Sequence, residues 1–598
     1  MALNLAYATY TKTRKAMDIN GMWRFRLDKN SEGRQKNWMN GIPKADLIPV
    51  PSSFNDLFTD KESREFTGSI WYETDIYVPQ EWKGLDISLR FSSVTSKATV
   101  FVNGIKVKEH HGGYTPFHAP VDTVIDFDRK NKIVVEVSNL LDDITLPRGE
   151  TATKKDGTRL AKSDVDFYHY AGIQRSVKLI AMPKERVTDF SVRFDLEGKD
   201  AAVSYQAETN GKSEVRLEVY DENDNFVAET IGKNNKLTVK DVQLWKPLKP
   251  YLYTFIVKIC DGEHVIDMHR EKIGIRTVEV KGQQLFINNE PVYLKGFYKW
   301  EDSELHGAGV NPAILKRDVE LMKWAGANVI STADFPHSEE LYELADREGF
   351  LLIDTLPASG LKNSKPSFHQ MMMGIKEDGP FFARDVIQEE MKVHHRAVME
   401  EVIQRDKNHA CVIAWNLMTE PDATDEHITN YAKDIFDYAH ELDPQKRPRT
   451  ALLPMNTKME DSKINDLCDI ISLHRKDGWD EMGGYELSDA ETEMKETLAS
   501  WEAIGKPVFI TSEAAESVSG EWKLPSVQWS EPYQVESLEM QQQMLEELPF
   551  IIGEQVHFAD IQAKEGLTAI DTHRSGVFTR NRQPKMAAYL VRERWRTK

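Results

Sequence analysis

Two stretches of this sequence end an apolar run on a carboxylate. In "CVIAWNLMTEP" the run stops at Thr419-Glu420 just before Pro421, and in "KPVFITSEAAESVSG" it stops at Thr511-Ser512-Glu513. A buried strand that delivers an acid at its end is where enzymes place general acid–base chemistry, because partial burial tunes the acid. The chemistries needing other signatures find none. There is no glycine-rich phosphate loop and no Ser/His/Asp set on a nucleophile elbow. The cysteines, Cys260, Cys411 and Cys468, are odd in number and lack metal-site spacing.

These acids must be carried by a large scaffold. At 598 residues the chain exceeds one core, and length alone suggests several domains. Its net charge of −20, from 76 basic and 96 acidic side chains, argues against nucleic-acid or anionic-membrane partners. The first residues carry charges where a signal peptide needs an apolar run, and no run approaches the length of a membrane span. With reduced core thiols, these features give the expectation of a cytoplasmic protein.

The first ~180 residues alternate as strands do. Asn103-Gly104 between two alternating runs signals a two-residue hairpin, whose central residues need positive φ. A β-sandwich (jelly-roll) is expected over 1–184, and a smaller immunoglobulin-like sandwich over 185–276. Over 277–598 the pattern becomes strand–helix: "PVYLKGF", "PAILKRDVELMKWAG", "NVISTA", "SEELYELADREG", "FLLIDT", "RAVMEEVIQRDKN", "CVIAWNLM", "IISLH", "PVFITS" and "GEQVHFADI". Repeated units of this kind predict a (β/α)8 TIM barrel. The irregular segment from Leu361 to Asp385, with Met371-Met372-Met373, would follow the third barrel strand on the catalytic side, as a pocket rim or an ordinary packed loop. His394-His395 lies on a helix and is expected to be structural.

The motifs "GGYTPF", "YAGIQRSV", "LWKPLKPYLY", "GIRTVEVKGQQLFINNEPVYLKGF", "RDKNHACVIAWNLMTEP", "WSEPYQ" and "GVFTRNRQPKMAAYLVRERW" make the chain similar to the β-glucuronidases of glycoside hydrolase family 2, from about Asp18 to Trp595. The resemblance implies a retaining-type pair of carboxylates about 5–5.5 Å apart. Glu420 takes the family's acid/base position, with Thr419 in place of the preceding Asn. Aligned without a gap, Ser512 takes the nucleophile position and Glu513 comes one residue later. A one-residue step reverses a strand side chain, so without a bulge Glu513 is expected to point away from the pocket.

Other pocket positions also depart from the family pattern. Ser331 and Asp334 replace an Arg and a His, Trp300 replaces a His, and Lys476 and Asp480 replace two tyrosines. His557 stands where a Trp is expected, and His573 and Ser575 fall on the Asn-x-Lys pair that grips the glucuronate carboxylate. Asp166 and Glu420 are the main polar survivors. The expected substrate-binding set is Asp166, Trp300, Asp334, Thr419, His474, Asp480, His557, His573 and Arg574. Lys299, Lys476 and Asp477 are also expected at the barrel mouth.

An inverting reaction would need a base about 6.5–9.5 Å from Glu420, with Asp334 or Asp480 as candidates. A metal site drawn from Asp334, Glu420, His474 or His557 is chemically feasible, but none has a local ligand motif, so no metal and no cofactor is expected. The leading expectation is an enzyme on β-glycosides with weak or no ordinary β-glucuronidase activity, forming a dimer or tetramer by resemblance. Its rivals are a non-catalytic homologue that binds a glycoside or a protein, and a barrel enzyme of different acid–base or metal-assisted chemistry.

Overall fold

The computed structural model describes residues 10–363, 379–479, 482–564 and 572–597. Met371-Met372-Met373 and Asp480 lie outside the described residues. Among the described residues, no helix is long and apolar enough to cross a membrane.

The N-terminal domain is a sandwich of two antiparallel sheets. Six strands run in the order Asp46–Val50, Gly21–Leu27, Ser69–Ile76, Asn131–Ser138, Lys97–Val102 and Ile105–His111, facing four others. Apolar alternation buries Trp23, Phe25, Tyr72, Leu89 and Val135 between the sheets. Asn103 and Gly104 adopt φ of 52° and 82° and join Lys97–Val102 to Ile105–His111, as their sequence predicts. The second sandwich packs a three-stranded sheet (Val187–Glu197, Asp200–Thr209, Asn234–Val239) on a four-stranded one (Phe226–Ile231, Glu214–Tyr220, Tyr253–Asp261, His264–Ile273).

Eight parallel strands then close a barrel: Leu294–Lys299, Val329–Thr332, Leu351–Thr355, Val412–Thr419, Arg449–Leu453, Ile471–Arg475, Val508–Ser512 and Ile551–His557. The fifth, "RTALL", is the strand that sequence reading passes over. It is short and opens on an arginine after Pro448. Gly296 and Gly553 let neighbouring strands close up, since a Cβ there would meet Val329 O at 1.9 Å and Leu294 O at 2.4 Å. The helix Pro312–Ala325 shows how the outer ring is punctuated. The Asn311 side chain accepts from the Ala313 and Ile314 amides, Pro312 opens the helix, and Gly326 ends it at φ 88°.

The first sandwich is locked to the barrel by buried ion pairs. Arg90 pairs with Glu339, which also accepts from Ser92 Oγ at 3.0 Å. Arg175 donates to Glu301 at 2.8 Å and to the Pro336 carbonyl at 2.6 Å.

Candidate active site

A cavity of about 60 Å³ opens at the C-terminal end of the barrel strands. Barrel enzymes place their chemistry at this end. Its wall includes Asp166, Trp300, Asp334, Thr419, Glu420, His474, Glu513, His557 and His573. One side is not barrel at all. Asp164 to Phe167 come from the first domain, and Phe167 bridges to Ala563 of the barrel.

Glu420 ends the fourth strand in the left-handed region, at φ 47°. Its amide donates to Leu452 O at 2.8 Å, which fixes the turn. Non-glycine residues held there carry strain of order 1–3 kcal/mol and tend to occur at working sites. Its carboxylate accepts from His474 Nδ1 at 2.6 Å and from Lys362 Nζ at 3.2 Å. Burial resists ionisation, but these two cationic partners outweigh it and hold the group down at about 2. Thr419 lines the cavity with its hydroxyl occupied, accepting from Asn416 Nδ2 at 3.1 Å.

The structure overturns the expected orientation of the seventh strand. His474 pairs across from Thr511, and Arg475 from Ser512. His474 faces the cavity, so the cavity face carries Thr511 and, two residues on, Glu513. Ser512 falls on the opposite face and does not line the cavity. Its hydroxyl is buried without a hydrogen-bond partner. Counting from a gapless alignment selects the wrong neighbour, because facing is set by pairing parity with the sixth strand.

Glu513, 3% exposed, gathers cations. Its oxygens lie 3.1 Å from His474 Nε2, 2.8 Å from Lys476 Nζ and 3.1 Å from His573 Nε2. Burial again opposes the charge, and His573 and Lys476 overcome it, holding the carboxyl well below its usual range. His474 therefore spans the two glutamates, one on each ring nitrogen. Burial disfavours its charge, but the hydrogen bonds to both carboxylates raise it to about 10, so it is an imidazolium.

Asp334 sits at φ 61° after the second strand. It accepts from Trp300 Nε1 at 2.8 Å and Ser359 Oγ at 3.0 Å. Here burial wins over those bonds and pushes the carboxyl up to about 6. Two acids in one cavity are thus driven apart, the condition for separate acid and base roles. Trp300 also meets His557 edge-on at 4.9 Å.

One expected residue is misplaced. Arg574 is not among the cavity-lining residues, although its neighbour His573 is. Its backbone is tied down instead, its amide on Glu516 at 3.1 Å and its carbonyl on Lys585 at 2.8 Å. Lys362, Asp164, Tyr298 and Ser359 are lining residues that sequence reasoning missed. Lys362 lies at the start of the irregular segment, two residues after Gly360 at φ 80°, a turn glycine that could have marked the place. His395, expected to be structural, is fully buried between Tyr431 and the Leu417 carbonyl.

Comparison with known proteins agrees along the whole chain. Residues 278–598 match the TIM barrel domain of glycosyl hydrolases family 2, residues 16–183 its sugar binding domain and residues 181–276 the family 2 domain between them. The chain is 36% identical over 597 residues to a β-glucuronidase of Paenibacillus borealis, covering 98% of this chain and 97% of that one. It is 32% identical to the human β-glucuronidase, covering 99% and 92%. The β-glucuronidase of Ruminococcus gnavus superposes with a TM-score of 0.96 at 41% identity over 100% of both chains. The same enzyme solved in complex with D-glucuronic acid gives 0.93 at 40%, covering 99% and 100%. The chain belongs to glycoside hydrolase family 2 and is a β-glucuronidase-like hydrolase of O-glycosyl bonds.

Proposed function

We propose that the chain cleaves β-glycosides of the uronide class, with Glu420 protonating the leaving oxygen and Glu513 as the opposing carboxylate. We further propose that its specificity has moved away from simple β-glucuronides. One observation carries this reading: His474 bridges the two glutamates, at 2.6 Å from Glu420 and 3.1 Å from Glu513. A retaining pair about 5–5.5 Å apart has no room for an interposed ring, whereas the wider separation of an inverting pair, about 6.5–9.5 Å, does. Both carboxylates rest ionised, so the acid must gain its proton when substrate binds. His474 Nδ1 is placed to supply it. The Asn-x-Lys clamp for a glucuronate carboxylate is replaced by His573 and Ser575, which supports altered recognition. The similar solved enzymes support the uronide class, since one is a β-glucuronidase in complex with D-glucuronic acid.

The test is hydrolysis of an aryl β-glycoside panel, glucuronide and galacturonide included, by wild type, Glu420→Gln and Glu513→Gln. The product anomer is read by proton NMR. Cleavage lost in both variants, with an inverted first product, supports the reading. Retention would show that His474 swings out and Glu513 acts as nucleophile. No turnover on any member would sink hydrolysis and leave a pocket that binds without cleaving.

A further inference from the structure

Three histidines line the cavity around one carboxylate, Glu513. His474 ends the sixth strand, His557 ends the eighth, and His573 lies on the short Thr572–His573 strand beyond it. In each ring a neighbouring side chain holds Nδ1. His474 Nδ1 is held by Glu420 Oε1 at 2.6 Å. His557 Nδ1 and His573 Nδ1 share Ser575 Oγ, at 2.6 and 3.0 Å. His474 and His573 bring their Nε2 atoms to 3.1 Å from opposite oxygens of Glu513. One ligand atom each from His474, Glu513 and His557 lie within 4.8 Å of one another. His557 is 2% exposed, and its Nε2 is buried with no hydrogen-bond partner. A buried polar atom left without a partner is costly unless something is meant to meet it.

We propose that the chain binds a divalent first-row transition-metal ion through the imidazoles of His474 and His557 and the carboxylate of Glu513, with His573 holding the other oxygen of that carboxylate. Imidazoles with one carboxylate suit zinc, iron, nickel or cobalt, and not magnesium or calcium, which take oxygens. Imidazole nitrogens bind such ions at about 2.0–2.1 Å, so the three side chains close inward on loading. Glu420 and Ser575 supply the second shell, since a ligating histidine usually gives its other nitrogen to a carboxylate or hydroxyl. Lys476 stays on Glu513 Oε1 and leaves Oε2 for the ion. The ion would face the cavity, where a uronate carboxylate, a sugar hydroxyl or water could complete its shell. The site shares His474 and Glu513 with the hydrolysis reading, and loading releases the Nε2 proton of His474; the test below needs no substrate, so its failure is distinguishable from failure of that reading.

Tag-free full-length protein is stripped with a chelator and titrated with zinc chloride by calorimetry. Cobalt chloride is then added and its d–d absorption recorded. We expect one ion per chain and a cobalt spectrum of nitrogen–oxygen coordination. His557→Gln and Glu513→Gln should abolish both. Ser575→Ala, which removes no ligand and should fold, should weaken binding about 10- to 100-fold. His409→Gln, in the separate Asp346, His409 and Cys411 cluster, should change nothing. Absence of saturable binding to the wild type would overturn the proposal. So would binding that survives His557→Gln and Ser575→Ala, or binding lost in His409→Gln alone.

Discussion

The two ends of the fourth barrel strand are built on opposite principles. At the Val412 end, Asp443 Oδ2 accepts from Trp415 Nε1 at 3.0 Å and from the Arg447 amide and Nε, both at 2.9 Å. Its Oδ1 accepts from Arg447 Nη2 at 2.8 Å and the Gln445 amide at 3.1 Å. Arg276 beside it donates to the Ala410 and Val412 carbonyls and to Gln445 Oε1 at 2.6–2.8 Å. Few capacities are left over, and the cluster is a closed network of the kind that specifies a fold. At the Glu420 end, charges crowd around Glu513 while His557 Nε2 is buried without a hydrogen-bond partner. The first end is complete without a ligand. The second leaves a buried nitrogen facing the cavity.

Substitutions should separate the two ends. The largest effect belongs to Glu420→Gln, which should lower kcat by about 10²–10⁴-fold if the general-acid role is right. Its thermal midpoint should stay near wild type. A variant with unchanged kcat would erase the functional half of the contrast. Next comes Asp443→Ala. It leaves Arg447 buried and uncompensated, at a cost of about 3–5 kcal/mol by urea unfolding, with activity per folded molecule preserved. A loss below about 1 kcal/mol would show that the lower network is decorative.

The ends should also respond to pH with opposite signs. Burial resists charging Asp443, but Arg447 holds the folded value at about 2, below the unfolded value near 3.8. Its contribution is present above pH 4 and lost as pH falls toward 2. Asp334 is raised to about 6, so it penalises the fold above pH 6 and stops doing so as pH falls toward 4. Asp334→Asn should therefore stabilise the protein at pH 7 by roughly 3 kcal/mol, since the group is held about two units above its ordinary value and each pKa unit is about 1.36 kcal/mol. Asn also tolerates the φ of 61°. Unfolding midpoints measured from pH 4 to 8 should show this gain fading as pH falls through 6 toward 4. A gain that persists at pH 4 would contradict the cause given. The smallest effect is that of Ser512→Ala. Removing a buried hydroxyl without a partner should shift stability by less than about 1 kcal/mol, and kcat should hold. A collapse of kcat would restore Ser512 as the working position.

The scaffold was legible because its signals are local. Asn103-Gly104 announces its own hairpin, and Asn311-Pro312 with Gly326 brackets its own helix. The pocket was legible in membership but not in arrangement. Glu420 could be placed because a proline and an apolar run frame it. The facing of Glu513 depends on pairing with a strand some 40 residues away, which residue counting does not carry. Lys362 reaches Glu420 from an irregular segment with no periodicity to read. The three histidines share no spacing, since 474, 557 and 573 meet only after the barrel closes.

The wall formed by Asp164 to Phe167 gives the enzyme a weakness of its own. Those residues belong to the first sandwich, and the Arg90–Glu339 and Arg175–Glu301 pairs hold that sandwich in place. Heat inactivation therefore need not wait for the barrel to melt. Slippage of the sandwich would open the cavity while every barrel strand stayed paired, and exchange of that one module between relatives would carry part of the substrate preference with it.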